Sequence, residues 1–175
     1  ITTTYQLEGV QIYGSKQPVN ALSLQPIQSF DSQQMQQLGF HRISDAVKYF
    51  AGVAVKDYGG QGGLKTISLR GLSSHHTAVS YDGLVLSNLQ AGQIDIGRFT
   101  TDGVTQTSVA LGHSSALLQT ARHYASAGIL IIETDGKAFL YSNKHASVNG
   151  SLTLGSFNYY QPAFRLWQKI NPKTS

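Results

Sequence analysis

Apolar residues in this chain follow two rhythms, a short helical block near the front and a long succession of period-two runs behind it. Residues 1–8 are polar and extended, and Val10-Gln11-Ile12-Tyr13 alternates like a strand before Gly14-Ser15 breaks it. A second strand-like run covers Leu22 to Phe30. Asp31 stands where a helix N-cap belongs, with Gln34 at the reciprocal capping-box position and Gly39 as the stop, which predicts a helix over Ser32 to Leu38. Ile43, Ala46, Val47 and Phe50 have the i, i+3, i+4, i+7 spacing of one buried helix face, with Ser44 marking the start and Gly52 the end.

Beyond Gly52 the period becomes two. Val53 and Val55, then Ile67 and Leu69, place apolar side chains on one face of two short strands separated by Gly59-Gly60-Gln61-Gly62-Gly63. Further strands are predicted at Thr77 to Tyr81, Val104 to Leu111 and Gly128 to Thr134, with a helical turn at Asp95 to Phe99. After Thr134, Val148, Leu152 and Leu154 share one face. Tyr160, Phe164, Leu166 and Ile170 repeat the pattern beyond a turn at Gly155 to Asn158. Such alternation, with Tyr159 and Tyr160 near one end, suits either a hairpin of a lipid-embedded barrel or an ordinary soluble hairpin. The expected class is α+β: a small mixed sheet with short helices, then a hairpin.

Composition narrows the function. With 175 residues, 41% hydrophobic and 13% charged, the chain can build one ordinary core and an appendage. Its 18 glycines favour strands and turns. The net charge of +4 comes from 13 Lys and Arg that are scattered, without the basic block that nucleic-acid binding needs, so no nucleic-acid partner is expected. There is no cysteine, which excludes disulfides and thiolate metal sites.

The candidate chemistry is sparse. His75-His76 invites a metal reading, but neighbours on a strand point to opposite faces and no further ligand stands at suitable spacing. Neither a G-x-S-x-G elbow nor a credible carboxylate pair is present, so no catalytic residue is assigned. Lys65-Thr66 follows the glycine run without completing a phosphate loop, and no helix signal comes next. Neither a cofactor nor a metal is expected. The run Gly59 to Gly63 suits close backbone approach to a ligand, or a bare hairpin tip. Ser87 to Gln93, rich in amides, suits a large polar ligand or a solvated loop.

These segments, taken in order, resemble a known family. Val10 to Ser15, the helix running into Ala51-Gly52-Val53, Gly59 to Gly63, Ile67-Ser68-Leu69-Arg70-Gly71, Tyr81-Asp82-Gly83, Gly112 with Ser114-Ser115-Ala116-Leu117, and Ala127 to Thr134 are similar to the plug (hatch) domain of TonB-dependent outer-membrane receptors. The glycine loop, Ile67 to Gly71, His76 and Asp82-Gly83 look most like the vitamin B12 (cobalamin) transporter type. Glycine loops at this place also occur in siderophore receptors. The chain departs from the pattern at Ser108 and Leu111, where the family carries a glutamate and a basic residue that pin plug to barrel. It also departs at Ala127-Gly128, in place of Gly-Gly, and over Leu118 to Tyr124.

The resemblance implies a plug over residues 9–134, an N-terminal extended segment over 1–8 in the region of the TonB box, and the first one or two barrel strands over 135–175. It implies active uptake of a scarce nutrient, a corrinoid or metal-siderophore, across the outer membrane of a Gram-negative cell, with the plug gating the barrel. Partners would be TonB, the rest of its own β-barrel, the nutrient, and the membrane through that barrel. Ligand contacts would come from Asp57, Tyr58, Gly59, Gly60, Gln61, Gly62, Gly63 and Leu64, and from Ser87, Asn88, Gln90 and Gln93. Arg70 would pair with a carboxylate on the barrel. Thr2, Thr3, Thr4, Tyr5, Gln6 and Leu7 would add a strand to TonB.

No apolar run approaches the roughly 20 residues of a spanning helix, and residues 1–8 do not read as a basic leader with an apolar core. Export is therefore an implication of the resemblance alone. A barrel of about 22 strands at about 10 residues each needs far more chain than lies beyond Thr134. The chain is thus expected to be part of a longer protein, soluble by itself and unable to transport alone. The alternative class is a soluble periplasmic binding or signalling module with a plug-like fold.

Overall fold

The computed structural model describes residues 27–60, 62–88, 92–112, 120–140, 142–156 and 158–169. Strand β1 (Ile27–Asp31) passes directly into helix α1 (Ser32–Gln37). The junction is set by Asp31, whose carboxylate accepts the Gln34 N–H at 2.7 Å while its own N–H donates to Gln34 Oε1 at 3.0 Å. This is the capping box expected from the sequence, and it contributes about 1 kcal/mol. The first part of the expected strand, residues 22–26, and the run Val10 to Tyr13 lie outside the described residues.

Helix α2 (Ile43–Val47) is shorter than expected and starts one residue before Ser44. The reason is tertiary: Arg42 supplies an extended N-cap without a side-chain bond, and the Ile43 N–H donates to Phe99 O at 2.9 Å. Ser44 is buried inside the helix, its hydroxyl without a hydrogen-bond partner among the described residues. Beyond Val47 the chain continues in turns that still deliver Phe50 to the core, where its ring stacks on Phe30 at 5.0 Å. A second tie joins the same places. The Gln28 amide donates to Ala51 O at 3.0 Å and accepts the Ala51 N–H at 2.7 Å.

Strands β2 (Val53–Asp57) and β3 (Lys65–Leu69) form the expected antiparallel hairpin, Val53 opposite Leu69 and Asp57 opposite Lys65. The main sheet contains β4 (Thr77–Tyr81), β5 (Leu84–Leu86), β6 (Val104–Leu111) and β7 (Gly128–Thr134), in the order β1-β6-β7-β4-β5. Only the β4–β7 pair is parallel. The turn expected near Asp95 is a 3-10 turn at Ile96–Arg98, capped by the Asp95 carboxylate. Strand β5 and helix α3 (Ala121–Tyr124) were not signalled by periodicity, being three and four residues long.

One face of the sheet carries the main core. Met35, Ile43 and Val47 from the helices, with Ile67 and Leu69 from β3, cover Val79, Val109, Leu130 and Ile132. Each such side chain contributes about 1.5–3 kcal/mol. The other face is smaller, around Ala78, Ala110 and Ile129. Strand β3 is buried at every position, the polar Lys65, Thr66 and Ser68 included.

Helix α4 (Asp135–Leu140) follows β7 directly and leads to a hairpin of β8 (Ala146–Gly155) and β9 (Tyr159–Gln168). Val148, Leu154, Phe164 and Leu166 point outward with Leu152 and Tyr160, all 56–72% exposed, while burial alternates residue by residue along β9. The inward positions are Tyr159, Gln161, Ala163, Arg165 and Trp167. The hairpin is thus apolar outside and mostly polar inside. Ile170 lies outside the described residues.

Candidate functional site

The glycine loop is held by its own first residue. The Asp57 carboxylate accepts the Gly59 and Gly60 N–H groups, each at 3.1 Å, and pairs with Lys65 Nζ at 3.2 Å across the hairpin. The Gly59 N–H, and after it the Lys65 ammonium, hold the Asp57 carboxyl below its ordinary range. The loop closes through the Tyr58 N–H, which donates to Leu64 O at 2.9 Å. Gly63 passes so close to Gly59 that a Cβ there would lie 2.6 Å from the Gly59 backbone. Glycine is required at 63 by space alone. Tyr58 and Leu64 stand exposed beside this closed tip; Gln61 lies outside the described residues.

In the second loop Ser87 and Asn88 are exposed, the Gly92 N–H donates to Asn88 O at 2.9 Å, and Gln90 lies outside the described residues. Gln93 is half-buried, its amide nitrogen 2.9 Å from His75 Nε2. The two loop regions are joined through Asp95, whose Oδ1 accepts the Lys65 N–H at 3.0 Å and the Gly97 N–H at 2.9 Å. Thr2, Thr3, Thr4, Tyr5, Gln6 and Leu7 lie outside the described residues.

Two placements correct the sequence reading. His75 and His76 are not on a strand but in a 3-10 turn, Ser74–His76, that precedes β4. Arg70 likewise does not continue β3. It sits in a turn with φ +52°, exposed, its N–H donating to Gly52 O at 2.7 Å. The strand ends because the chain must reverse toward β4, and period-two patterning does not register a left-handed residue at its end. Among the described residues no group of three or more His, Asp or Glu side chains converges as a metal site.

Sequence reasoning missed the residues that join the sheet body to the hairpin. Asp102 accepts from Gln161 Nε2 at 2.9 Å and from the Ser151 hydroxyl at 3.2 Å. Asp135 accepts from Asn149 Nδ2 at 3.2 Å and faces Arg165 Nε at 3.4 Å. Trp167 packs so closely over Gly136 that a Cβ there would lie 2.7 Å from its ring. A third aspartate, Asp82, ties the sheet internally: its carboxylate accepts the Thr134 N–H at 2.7 Å and the Thr134 hydroxyl at 2.6 Å. The sequence did carry a signal, because each of these aspartates precedes a glycine: Asp82-Gly83, Asp102-Gly103, Asp135-Gly136. Only the first stands in a motif that the sequence reading singled out.

Residues 19–122 match the family model described as TonB-dependent Receptor Plug Domain. Among curated proteins the chain is similar to the vitamin B12 transporter BtuB of Vibrio vulnificus (strain YJ016), 28% identical over 141 residues, covering 81% of this chain and 22% of that protein. Among solved structures it is similar to the copper transporter OprC, with TM-score 0.58 and 18% identity, covering 80% of this chain and 21% of that one. It is also similar to a chain in the structure of the FpvAI–pyocin S2 complex, with TM-score 0.60 and 17% identity, covering 85% and 18%. The chain thus spans about a fifth of the length of these proteins.

Proposed function

Because this chain belongs to the plug-domain family of TonB-dependent receptors, we propose that residues 9–134 are the stopper of an outer-membrane transporter and that residues 135–175 begin its β-barrel. The transporter takes up a corrinoid or a metal-siderophore. The family is one of outer-membrane receptors and not of enzymes. Among the described residues no helix is long and apolar enough to cross a membrane, and barrels cross with strands.

The observation that carries the reading is the polarity of the hairpin. Six large apolar side chains face outward from β8 and β9, while Arg165, Gln161 and Asn149 bond inward to the body. A soluble module would bury the first set; a barrel strand presents it to lipid. This polarity favours the transporter over the periplasmic module.

In this reading the loops over Asp57 to Leu64 and Ser87 to Gln93 touch the nutrient. Arg70 pairs with a carboxylate on a later part of the barrel, and Thr2 to Leu7 engage TonB. Asp57 acts within its loop as an organiser rather than as a free acceptor, so Tyr58, Leu64 and the loop amides are the contacting groups. The test uses the complete protein in outer-membrane vesicles, with a spin label on a cysteine at Phe164 or at Gln161. The label at 164 should collide with lipid-soluble oxygen and the label at 161 with neither oxygen nor a water-soluble nickel chelate. Collision of the 164 label with the nickel chelate would overturn the reading.

A further inference from the structure

A single side chain of the edge strand β1 reaches the foot of the hairpin that carries the glycine loop. The Gln28 amide nitrogen donates to Ala51 O at 3.0 Å, and its amide oxygen accepts the Ala51 N–H at 2.7 Å. A primary amide that satisfies both polar groups of one residue copies the pairing of a neighbouring strand, and fixes Ala51 in register with β1. Only Gly52 separates Ala51 from β2; its φ of +75° turns the chain into the strand, and its carbonyl accepts the Arg70 N–H at 2.7 Å just beyond β3. From there β2 and β3 run as one ladder, from Val53 opposite Leu69 to Asp57 opposite Lys65. The ladder ends at the Asp57 carboxylate, which holds the Gly59 and Gly60 N–H groups.

A paired strand of five residues spans about 17 Å and is stiff along its length, so a change at the loop tip is delivered to Ala51. The apolar contact at that place, Phe30 on Phe50 at 5.0 Å, is non-directional and lets the rings slide. The bonds of the clasp do not slide, since they weaken steeply once misaligned. Both lie at the surface, where water takes over the freed groups, so the clasp has two arrangements, made and solvated. We infer that Gln28 is a coupling residue, which ties the state of the glycine loop to the state of β1. Such coupling acts equally in both directions: a displaced β1 loosens the loop, and a loosened loop frees β1. Resting on the reading of this loop as a nutrient contact, the clasp makes a pull on the chain ahead of Ile27 weaken the hold on nutrient.

The test is a double-mutant cycle in the complete receptor, in detergent and without nutrient, read by hydrogen–deuterium exchange of peptides over residues 27–31. Gly63→Ala strains the loop without touching the clasp, and Gln28→Leu removes the clasp at nearly constant size. Gly63→Ala should speed exchange over 27–31 about tenfold in the wild-type background, and less than about twofold once Gln28→Leu is present. In return, Gln28→Leu alone should speed exchange at Tyr58, whose N–H closes the loop on Leu64 O. Phe30→Leu, which loosens β1 but keeps the clasp, should leave the effect of Gly63→Ala intact. Substitutions this far apart ordinarily act independently. An equal effect of Gly63→Ala with and without Gln28→Leu, or no effect on 27–31 in the wild-type background, therefore overturns the coupling. Asp57→Asn, which weakens the loop's own bonds, takes the place of Gly63→Ala should that variant not fold. Because no nutrient enters the measurement, its failure leaves the transporter reading standing; that reading falls on the spin-label result instead.

Discussion

Replacing Asp82 by alanine should loosen the join between β4 and β7 while leaving the helical side of the core intact. Asp82 occupies the turn after β4 with φ +49°, and its two oxygens hold the Thr134 N–H and hydroxyl at 2.7 and 2.6 Å. Thr134 is only 7% exposed, so water replaces these partners poorly. Hydrogen bonds to a charged group contribute about 1.5–3 kcal/mol, and alanine in the left-handed region adds about 1 kcal/mol. Allowing for partial rehydration, the local loss is about 3 kcal/mol. Asp82→Asn keeps the turn and one acceptor and should lose about half. Hydrogen–deuterium exchange by mass spectrometry on the complete receptor reads this directly. Peptides over residues 128–134 should exchange on the order of 100-fold faster in Asp82→Ala and about tenfold faster in Asp82→Asn. Exchange within about threefold of wild type, or equal loosening of α1 and α2, would refute the local stitch.

Gly63→Ala forces a Cβ against the Gly59 backbone at 2.6 Å and should destabilise the loop by about 1–3 kcal/mol; nutrient affinity of the complete receptor should fall several-fold, and unchanged affinity would remove this loop from the ligand contacts. The Asp57 carboxyl is held below its ordinary value of 3.8, chiefly by the Gly59 N–H, so its stabilisation is present above the unfolded value and lost only as pH falls through the lower folded one. Tyr58 amide exchange, corrected for intrinsic rate, should therefore stay protected down to about pH 4 and lose that pH dependence in Asp57→Asn; loosening already near pH 5 would contradict it. Arg70→Glu should lower uptake without changing the plug's exchange pattern, because Arg70 is exposed in this chain; full uptake would discard the proposed barrel pairing.

Much of the fold was legible because its signals are local. The Asp31 and Gln34 capping box, the Val53 to Leu69 hairpin and the strands at 77–81, 104–111 and 128–134 each follow from spacing or turn residues within a few positions. What escaped was decided at long range. Ser44 was displaced as the start of α2 because the Ile43 N–H, one position earlier, is held by Phe99 O, a residue distant in sequence. Arg70 and the two histidines left their expected strands because the chain reverses between β3 and β4, a path fixed by the sheet and not by the residues themselves. The contacts of Asp102 and Asp135 with the hairpin join positions 14 to 59 residues apart, which no local pattern encodes.

The placement of β1 at one edge of the sheet has a mechanical consequence. A load applied to the chain ahead of Ile27 is met first by five residue pairs with β6 and by the two bonds of Gln28 to Ala51, not by the parallel pair at the centre. Rupture should start there, peeling an outer ribbon away while the stitched interior keeps its shape, so a modest tug would reshape the stopper without dissolving it.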